Sequence, residues 1–260
     1  MPEGDTLHRT ATRLRPALAD AELLRFEAPR LRGDRPRVGD RIENVEAVGK
    51  HLLIRFARGL VLHSHMKMTG SWHLYRTNER WRERPHLARA VVEVPGWVAV
   101  CFAAPVVQTY RDGDPASPIA HLGPDLCRTD VDFDIVLDRC TAIAASGTSI
   151  ADVLLDQRIA CGIGNVFKSE TLWACRCDPF APVETISDEQ RDRLWRVASK
   201  QLRSNLQGGP RTTVPGGLGV YGRQRQACRA CGTTIEMRHH GDQARSTYWC
   251  PSCQPATAAN

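Results

Sequence analysis

Five residues at the start of the chain, Met1-Pro2-Glu3-Gly4-Asp5, carry the sharpest chemical possibility in the sequence. Proline is a residue after which the initiator methionine can be trimmed, and trimming leaves Pro2 with a free secondary amine. Such an amine has a reference pKa of roughly 7.7–8.0, so near neutral pH a useful fraction is unprotonated and nucleophilic. Glu3 beside it could supply the proton that attack on a sugar carbon requires. The plain alternative is a frayed terminus with an acidic first helical turn. Lys50, in Gly49-Lys50-His51-Leu52-Leu53, follows a glycine at the start of a strand pattern, where its charge could meet a phosphate. An ordinary surface lysine would look the same.

Three further stretches have spacing that points to binding. His63-Ser64-His65-Met66-Lys67-Met68-Thr69-Gly70 reads as a tight turn whose methionine could wedge between bases, against buried filler as the common use of methionine and a weaker metal reading of the histidines. In Gly162-Ile163-Gly164-Asn165 two glycines break one helical pattern and an asparagine opens the next, which leaves backbone N–H groups and an amide for a phosphate. Cys228-x-x-Cys231 and Cys250-x-x-Cys253 match a four-cysteine structural zinc site, the intervening residues reading as a β-hairpin around Gly241-Asp242. Arg245 falls on its return strand, where a guanidinium can grip a phosphate through two bonds. The other six cysteines, at 101, 127, 140, 161, 175 and 177, have no such spacing and read as core or free thiols.

The elements that must position these groups change character along the 260 residues. Leu7, Ala11, Leu14 and Leu18 recur at helical spacing and predict a helix that anchors the terminus. Short aliphatic segments at 23–27, 41–48, 51–56, 60–62, 87–94 and 97–102 predict strands, the last two joined by a hairpin at Pro95-Gly96. Residues 105–134 are rich in Pro, Gly and Asp and read as loop and domain boundary. Helices are predicted at 135–145, from a Ser149 cap to Leu155, and from a Ser187/Gln190 capping box to about Leu206. The fold class is therefore α+β and multidomain. A β-sandwich with a flanking helix occupies 1–124, a linker 125–133, a helical domain 134–219 and the zinc hairpin 220–260. The formal charge is +6, and from Gln207 onward six arginines face two acids, an excess suited to an anionic partner. Apolar runs are too short to span a membrane and no signal-peptide core is evident, so a cytoplasmic protein is expected.

Taken together the chain resembles the formamidopyrimidine-DNA glycosylase and endonuclease VIII family. The resemblance rests on Pro2-Glu3-Gly4, Gly49-Lys50-x-Leu52-Leu53, His121-Leu122-Gly123-Pro124-Asp125, Leu155-Asp156-Gln157 running into Gly162-Ile163-Gly164-Asn165, Val220-Tyr221-Gly222-Arg223, and Arg245 followed by Tyr248-Trp249-Cys250-Pro251-x-Cys253-Gln254. It implies a helix–two-turn–helix domain beside the sandwich, one structural zinc ion, damaged DNA held between the domains, a monomer, and a nucleoid-associated location. It implies Pro2 as the Schiff-base nucleophile, Glu3 as proton donor, and Lys50 in β-elimination. It further implies Asn165 on a phosphate and Arg245 on the lesion phosphate, with Arg245 assisting δ-elimination, and Lys67 and Met68 at the void-filling turn.

Where the guanine-lesion branch carries Asp-x-Arg-x-Phe, this chain has Ala103-Ala104-Pro105-Val106-Val107-Gln108-Thr109, and the stretch from Leu206 to Val220 is short for a loop covering oxidised guanine. Oxidised pyrimidines are therefore the expected substrate. His121-Leu122 stands where endonuclease VIII relatives have an arginine before Gly-Pro-Asp. The competing readings are excision of oxidised purines and a non-catalytic zinc-ribbon protein that only binds lesions.

Overall fold

A computed structural model describes residues 2–241 and 244–256. Met1 and Asp242, which entered the reading of the terminus and of the hairpin tip, lie outside them. The chain divides into two compact units, Met1–His121 and Leu122–Asn260.

The first unit opens with helix α1 (Gly4–Leu18), which buries Leu7, Ala11, Leu14 and Leu18 along one face as their spacing requires. Eight strands follow: β1 (Arg25–Glu27), β2 (Ile42–Val48), β3 (His51–Phe56), β4 (Leu60–His65), β5 (Ser71–Arg76), β6 (Ala88–Val94), β7 (Trp97–Phe102) and β8 (Val106–Arg111). They form two antiparallel sheets ordered β1-β6-β7-β5 and β2-β3-β4-β8. Alternate residues such as Leu52, Ile54 and Phe56 of one sheet and Ala90, Val92 and Val94 of the other meet in one core with the α1 leucines. The architecture is the expected β-sandwich with a flanking helix. One polar pair ties the sheets, Trp72 Nε1 donating to Ser64 Oγ at 2.9 Å.

Two strands depart from the sequence reading. β8 lies inside the stretch expected to be loop. Its Val-Val-Gln-Thr-Tyr is β-prone, but the surrounding prolines and glycines dominate a local reading, and only pairing with β4 makes it a strand. β5 was not anticipated, because Ser71-Trp72-His73-Leu74 lacks a clean alternation, and its pairing with β7 is a tertiary event.

The second unit holds α2 (Phe133–Ile143), the short α3 (Ile150–Val153), α4 (Asn165–Ala174), α5 (Asp188–Ser204) and a two-stranded hairpin of β9 (Glu236–His240) and β10 (Arg245–Trp249). Ser149 caps α3, and the Ser187/Gln190 capping box starts α5. The turns between α3 and α4 are stitched by one amide. Gln157 Nε2 donates to Leu155 O and Ile163 O at 2.8 and 3.1 Å, while its Oε1 accepts from Gly162 N at 3.1 Å. Helix α4 is buried almost all round and packs on α5 and β10.

Glu170 on α4 is fully buried. Its carboxylate accepts backbone N–H bonds from Gly219, Val220 and Tyr221 at 2.7, 2.9 and 2.7 Å, and the Thr213 hydroxyl. One side chain therefore organises the irregular segment leading to the cysteines. Among the described residues, no helix is long and apolar enough to cross a membrane. Because each charge-assisted bond contributes about 1.5–3 kcal/mol, Glu170→Ala should destabilise the second unit by at least about 3 kcal/mol. A urea titration that separates the two units' transitions will measure it.

Candidate active site and DNA-binding elements

The position of the terminus follows from how α1 lies on β2. Asp20 N donates to Ile42 O at 2.8 Å, and Arg15 Nε donates to Val45 O at 2.7 Å. The C-terminal end of the helix therefore sits at the start of β2, so the two elements run antiparallel. From Arg15 back to Glu3 the helix climbs about 18 Å, and from Val45 on to Lys50 the strand advances about 16 Å. These rises carry Pro2 and Glu3 towards the level of the turn that holds Lys50. Glu3 has no exposed surface, and its carbonyl accepts the first helical N–H bonds, from Thr6 at 3.0 Å and Leu7 at 3.3 Å.

Lys50 is half-buried in the two-residue turn between Val48 and His51, which pair directly. Gly49 takes φ +54°, the left-handed conformation such tight hairpins need at a central position. At the same end of the sheet His51 pairs with His65. His51 Nδ1 and His63 Nε2 are 2.7 Å apart, and the His51 ring meets that of His65 edge-on at 4.8 Å. Burial, with His63, His65, His121 and Lys50 adding repulsion, pushes His51 down to about 2. Burial with His65 nearby brings His63 to about 4, and burial with Lys67 and Lys50 brings His65 to about 4. The trio is neutral at pH 7. His65 Nδ1 accepts the Lys67 backbone N–H at 3.0 Å, which engages that nitrogen in shaping the turn.

The two methionines of that turn part company. Met66 is core, whereas Met68 is 70% exposed beside Lys67, itself at φ +48°. The turn closes through Gly70 N to Met66 O at 2.8 Å and is tied to Ala103 O by Thr69 Oγ1 at 2.9 Å.

In the second unit Asn165 is the first residue of α4, after the extended Gly164. Its Oδ1 is buried without a hydrogen-bond partner, and its Nδ2 lies 3.5 Å from Ser246 Oγ, next to Arg245. Three positions on one face of α4 hold β10. Asn165 makes that long contact, Lys168 Nζ donates to Ser246 O at 3.1 Å and Thr247 Oγ1 at 2.8 Å, and Ser169 Oγ accepts from Tyr248 N at 3.4 Å. Asn165 and Arg245, 80 residues apart, are brought together by this seam. Sequence reasoning missed Lys168 and Glu170. Both lie in a helix of mixed composition, Asn165 to Ala174, whose sequence gives no local sign that these two would be buried.

The Sγ atoms of Cys228, Cys231, Cys250 and Cys253 lie within 4.8 Å of one another, with separations of 3.4 Å for Cys231 to Cys250 and to Cys253 and 3.9 Å for Cys228 to Cys253. Tetrahedral zinc with Zn–S of about 2.3 Å places its sulfurs about 3.8 Å apart, so the donor set fits. Ala230 N and Cys253 N point at the sulfurs of Cys228 and Cys250 at 3.4 and 3.5 Å, as metal-binding knuckles require.

Residues 1–103 match the formamidopyrimidine-DNA glycosylase N-terminal domain and residues 122–215 its H2TH, helix–two-turn–helix, domain. The chain belongs to the formamidopyrimidine-DNA glycosylase and endonuclease VIII family. It is 37% identical to a protein named probable endonuclease 8 2 from Streptomyces coelicolor, over 99% of this chain and 95% of the relative. It is 36% identical to the DNA-(apurinic or apyrimidinic site) lyase Nei2 of Mycolicibacterium smegmatis, over 99% and 100%. The crystal structure of MutM (Fpg) from Thermus thermophilus superposes with a TM-score of 0.81 at 30% identity, covering 98% of this chain and all of that one.

The depressed histidines set a pH dependence. An unfolded chain takes up protons at these positions below about pH 6.5, whereas the folded sandwich resists until about 4 or lower. Their contribution to stability is complete above pH 6.5 and is lost as pH falls. The thermal midpoint of the first unit should drop between pH 6.5 and 4, and His63→Gln should drop less steeply in parallel melting scans.

Proposed function

We propose that the protein is a bifunctional DNA glycosylase and apurinic/apyrimidinic lyase that excises oxidised pyrimidines. The observation that carries this reading is the antiparallel run of α1 along β2 with Glu3 buried at its start, which supports an approach of the Pro2 amine and Glu3 to Lys50.

With Met1 removed, the Pro2 nitrogen attacks C1′ of the damaged nucleotide. The C1′–N bond to the base breaks and the amine gives up its proton; Glu3 then delivers a proton to the ring oxygen O4′ as the C1′–O4′ bond opens, which leaves an iminium between Pro2 and C1′. That positive charge acidifies C2′. Loss of the C2′ proton, assisted by Lys50, expels the 3′ phosphate, and a second elimination with Arg245 on the phosphate expels the 5′ one. Asn165 would hold the same phosphate. Its orphaned buried oxygen supports this, since a half-turn of the amide presents an N–H in that place. Met68 and Lys67 would enter the gap left by the extruded base, whose unstacking costs a few kcal/mol and less at a damaged pair.

Four thiolates would hold one zinc ion, whose role is to fold the hairpin and fix the register of Arg245. Residues 220–260 act on this reading as the part that presents Arg245, attached to the helical part 134–219 through α4. Pyrimidine lesions are preferred over purines because residues 103–109 lack the inserting arginine and 206–220 are short. The endonuclease 8 naming of the relatives at 36–37% identity agrees.

Borohydride should trap the parent on a duplex carrying 5,6-dihydrouracil or an abasic site. A chain extended ahead of Pro2, confirmed uncleaved by mass spectrometry, should lose excision and nearly all trapping, because its amine has become an amide. Glu3→Gln should lose excision while retaining some nicking at a preformed abasic site. Excision by the extended chain at the parent's rate would refute the mechanism. Stripping zinc with a chelator should abolish DNA binding while leaving the melting of the sandwich in place.

A further inference from the structure

The sandwich carries a second basic feature that the proposed chemistry does not use. A cavity of about 570 Å³ is lined by Arg30, Arg32 and Arg89 together with residues 103–108. Residues 30–34 reach it as an added edge beside β8. Arg32 forms a parallel bridge to Gln108, Thr109 N donates to Arg32 O at 2.8 Å, and Thr109 Oγ1 donates to Asp34 O at 2.6 Å. Gly33 is needed there: its φ is +97°, and a Cβ would fall 2.5 Å from Thr109 O. The arginines are thus carried by fixed backbone. Among the described residues no carboxylate pairs with any of the three, and Arg89 reaches only His86 O at 3.5 Å.

The cavity's place on the sheet indicates its ligand. In the order β2-β3-β4-β8 the Lys50 turn, the Met68 turn and residues 103–105 leave the same end, because His51, His65 and Val106 are paired in line. The Met68 turn lies between the other two and is bonded to the cavity's rim through Thr69 and Ala103. The arginine edge stands three strand spacings, about 14 Å, from β3. That is comparable with the width of the major groove, about 12 Å, and more than twice that of the minor groove.

We propose that Arg30, Arg32 and Arg89 bind phosphates of the strand opposite the damaged nucleotide. The inference rests on the reading above that Lys50 faces the damaged strand and Met68 enters the stack. Guanidinium groups fork onto phosphate oxygens and read no base. The pocket therefore substitutes for an arginine inserted against the opposite base, and the enzyme holds the second strand whatever base it carries.

The test is equilibrium binding to a duplex containing a tetrahydrofuran abasic analogue, with each of the four bases opposite, across a range of salt. It is repeated with the same lesion in a single strand and with inorganic pyrophosphate alone. Arg30→Ala, Arg32→Ala and Arg89→Ala should each weaken duplex binding roughly three- to tenfold at physiological salt and lower the salt slope by about one, equally for all four bases. The loss should vanish on the single strand, which has no second backbone to hold. Arg32→Lys keeps the charge and should recover the slope, and melting curves will verify that each variant is folded. Unchanged duplex affinity, an equal loss on the single strand, a loss that depends on the opposite base, or tight pyrophosphate binding lost in the variants would each overturn the proposal. Binding needs no turnover, so a parent that binds lesion duplex but excises nothing refutes the catalytic reading while these comparisons still decide the pocket.

Discussion

The packing of α1 on the edge of the sandwich is the constraint on which the candidate chemistry depends. A chain terminus is ordinarily the least ordered part of a domain, and a nucleophile needs a fixed approach to its carbon. Four buried leucine and alanine side chains on one helical face, with a backbone tie at Asp20 and a side-chain tie from Arg15, convert the terminus into the end of a rigid rod. Burial of Glu3 follows from the same docking. So does the convergence on Lys50, since helix and strand cover nearly the same distance in opposite directions.

The second unit meets a similar requirement with polar groups. Buried Lys168 and Glu170 lie on one helix yet act on different segments: the ammonium holds β10, and the carboxylate holds the backbone before the cysteines. Apolar side chains could fill the same volume but would leave strand carbonyls and loop N–H groups without partners, at a cost of roughly 1–3 kcal/mol each. Placing the donors on α4 satisfies those groups and sets where Arg245 begins its strand relative to Asn165. The histidine trio shows the reverse arrangement. Three imidazoles are kept neutral by burial at that end of the sheet.

The shared geometry of the sandwich also bears on how a lesion enzyme can dispense with base reading. Beside β8 the cavity's arginines sit on an added edge (Arg30 and Arg32) and on β6 (Arg89) rather than on an inserting loop. This leaves Met68 as the exposed apolar group at the tip of the neighbouring turn. On the readings proposed above, insertion and grip would fall to different elements, and each could be precise without constraining the other.

Much of this was legible in the amino-acid order. Leucine spacing predicted α1, capping residues predicted the starts of α3 and α5, and the two Cys-x-x-Cys pairs predicted the sulfur cluster, because each signal is local and operates within a few residues. The terminus, Lys50, Asn165 and Arg245 were visible as residue types in characteristic surroundings. Within the first unit the approach of the terminus to Lys50, and within the second that of Asn165 to Arg245, were not, since register and helix direction are set by long-range pairing. β8 was hidden among prolines and glycines until β4 supplied its hydrogen bonds, and β5 until β7 did. Lys168, Glu170 and the three arginines looked like ordinary polar residues, and His63 and His65 offered only a weak metal reading. Tertiary structure alone decided which of them would be buried, which neutral and which left facing a cavity, because a side chain's charge and partners depend on what the fold packs around it.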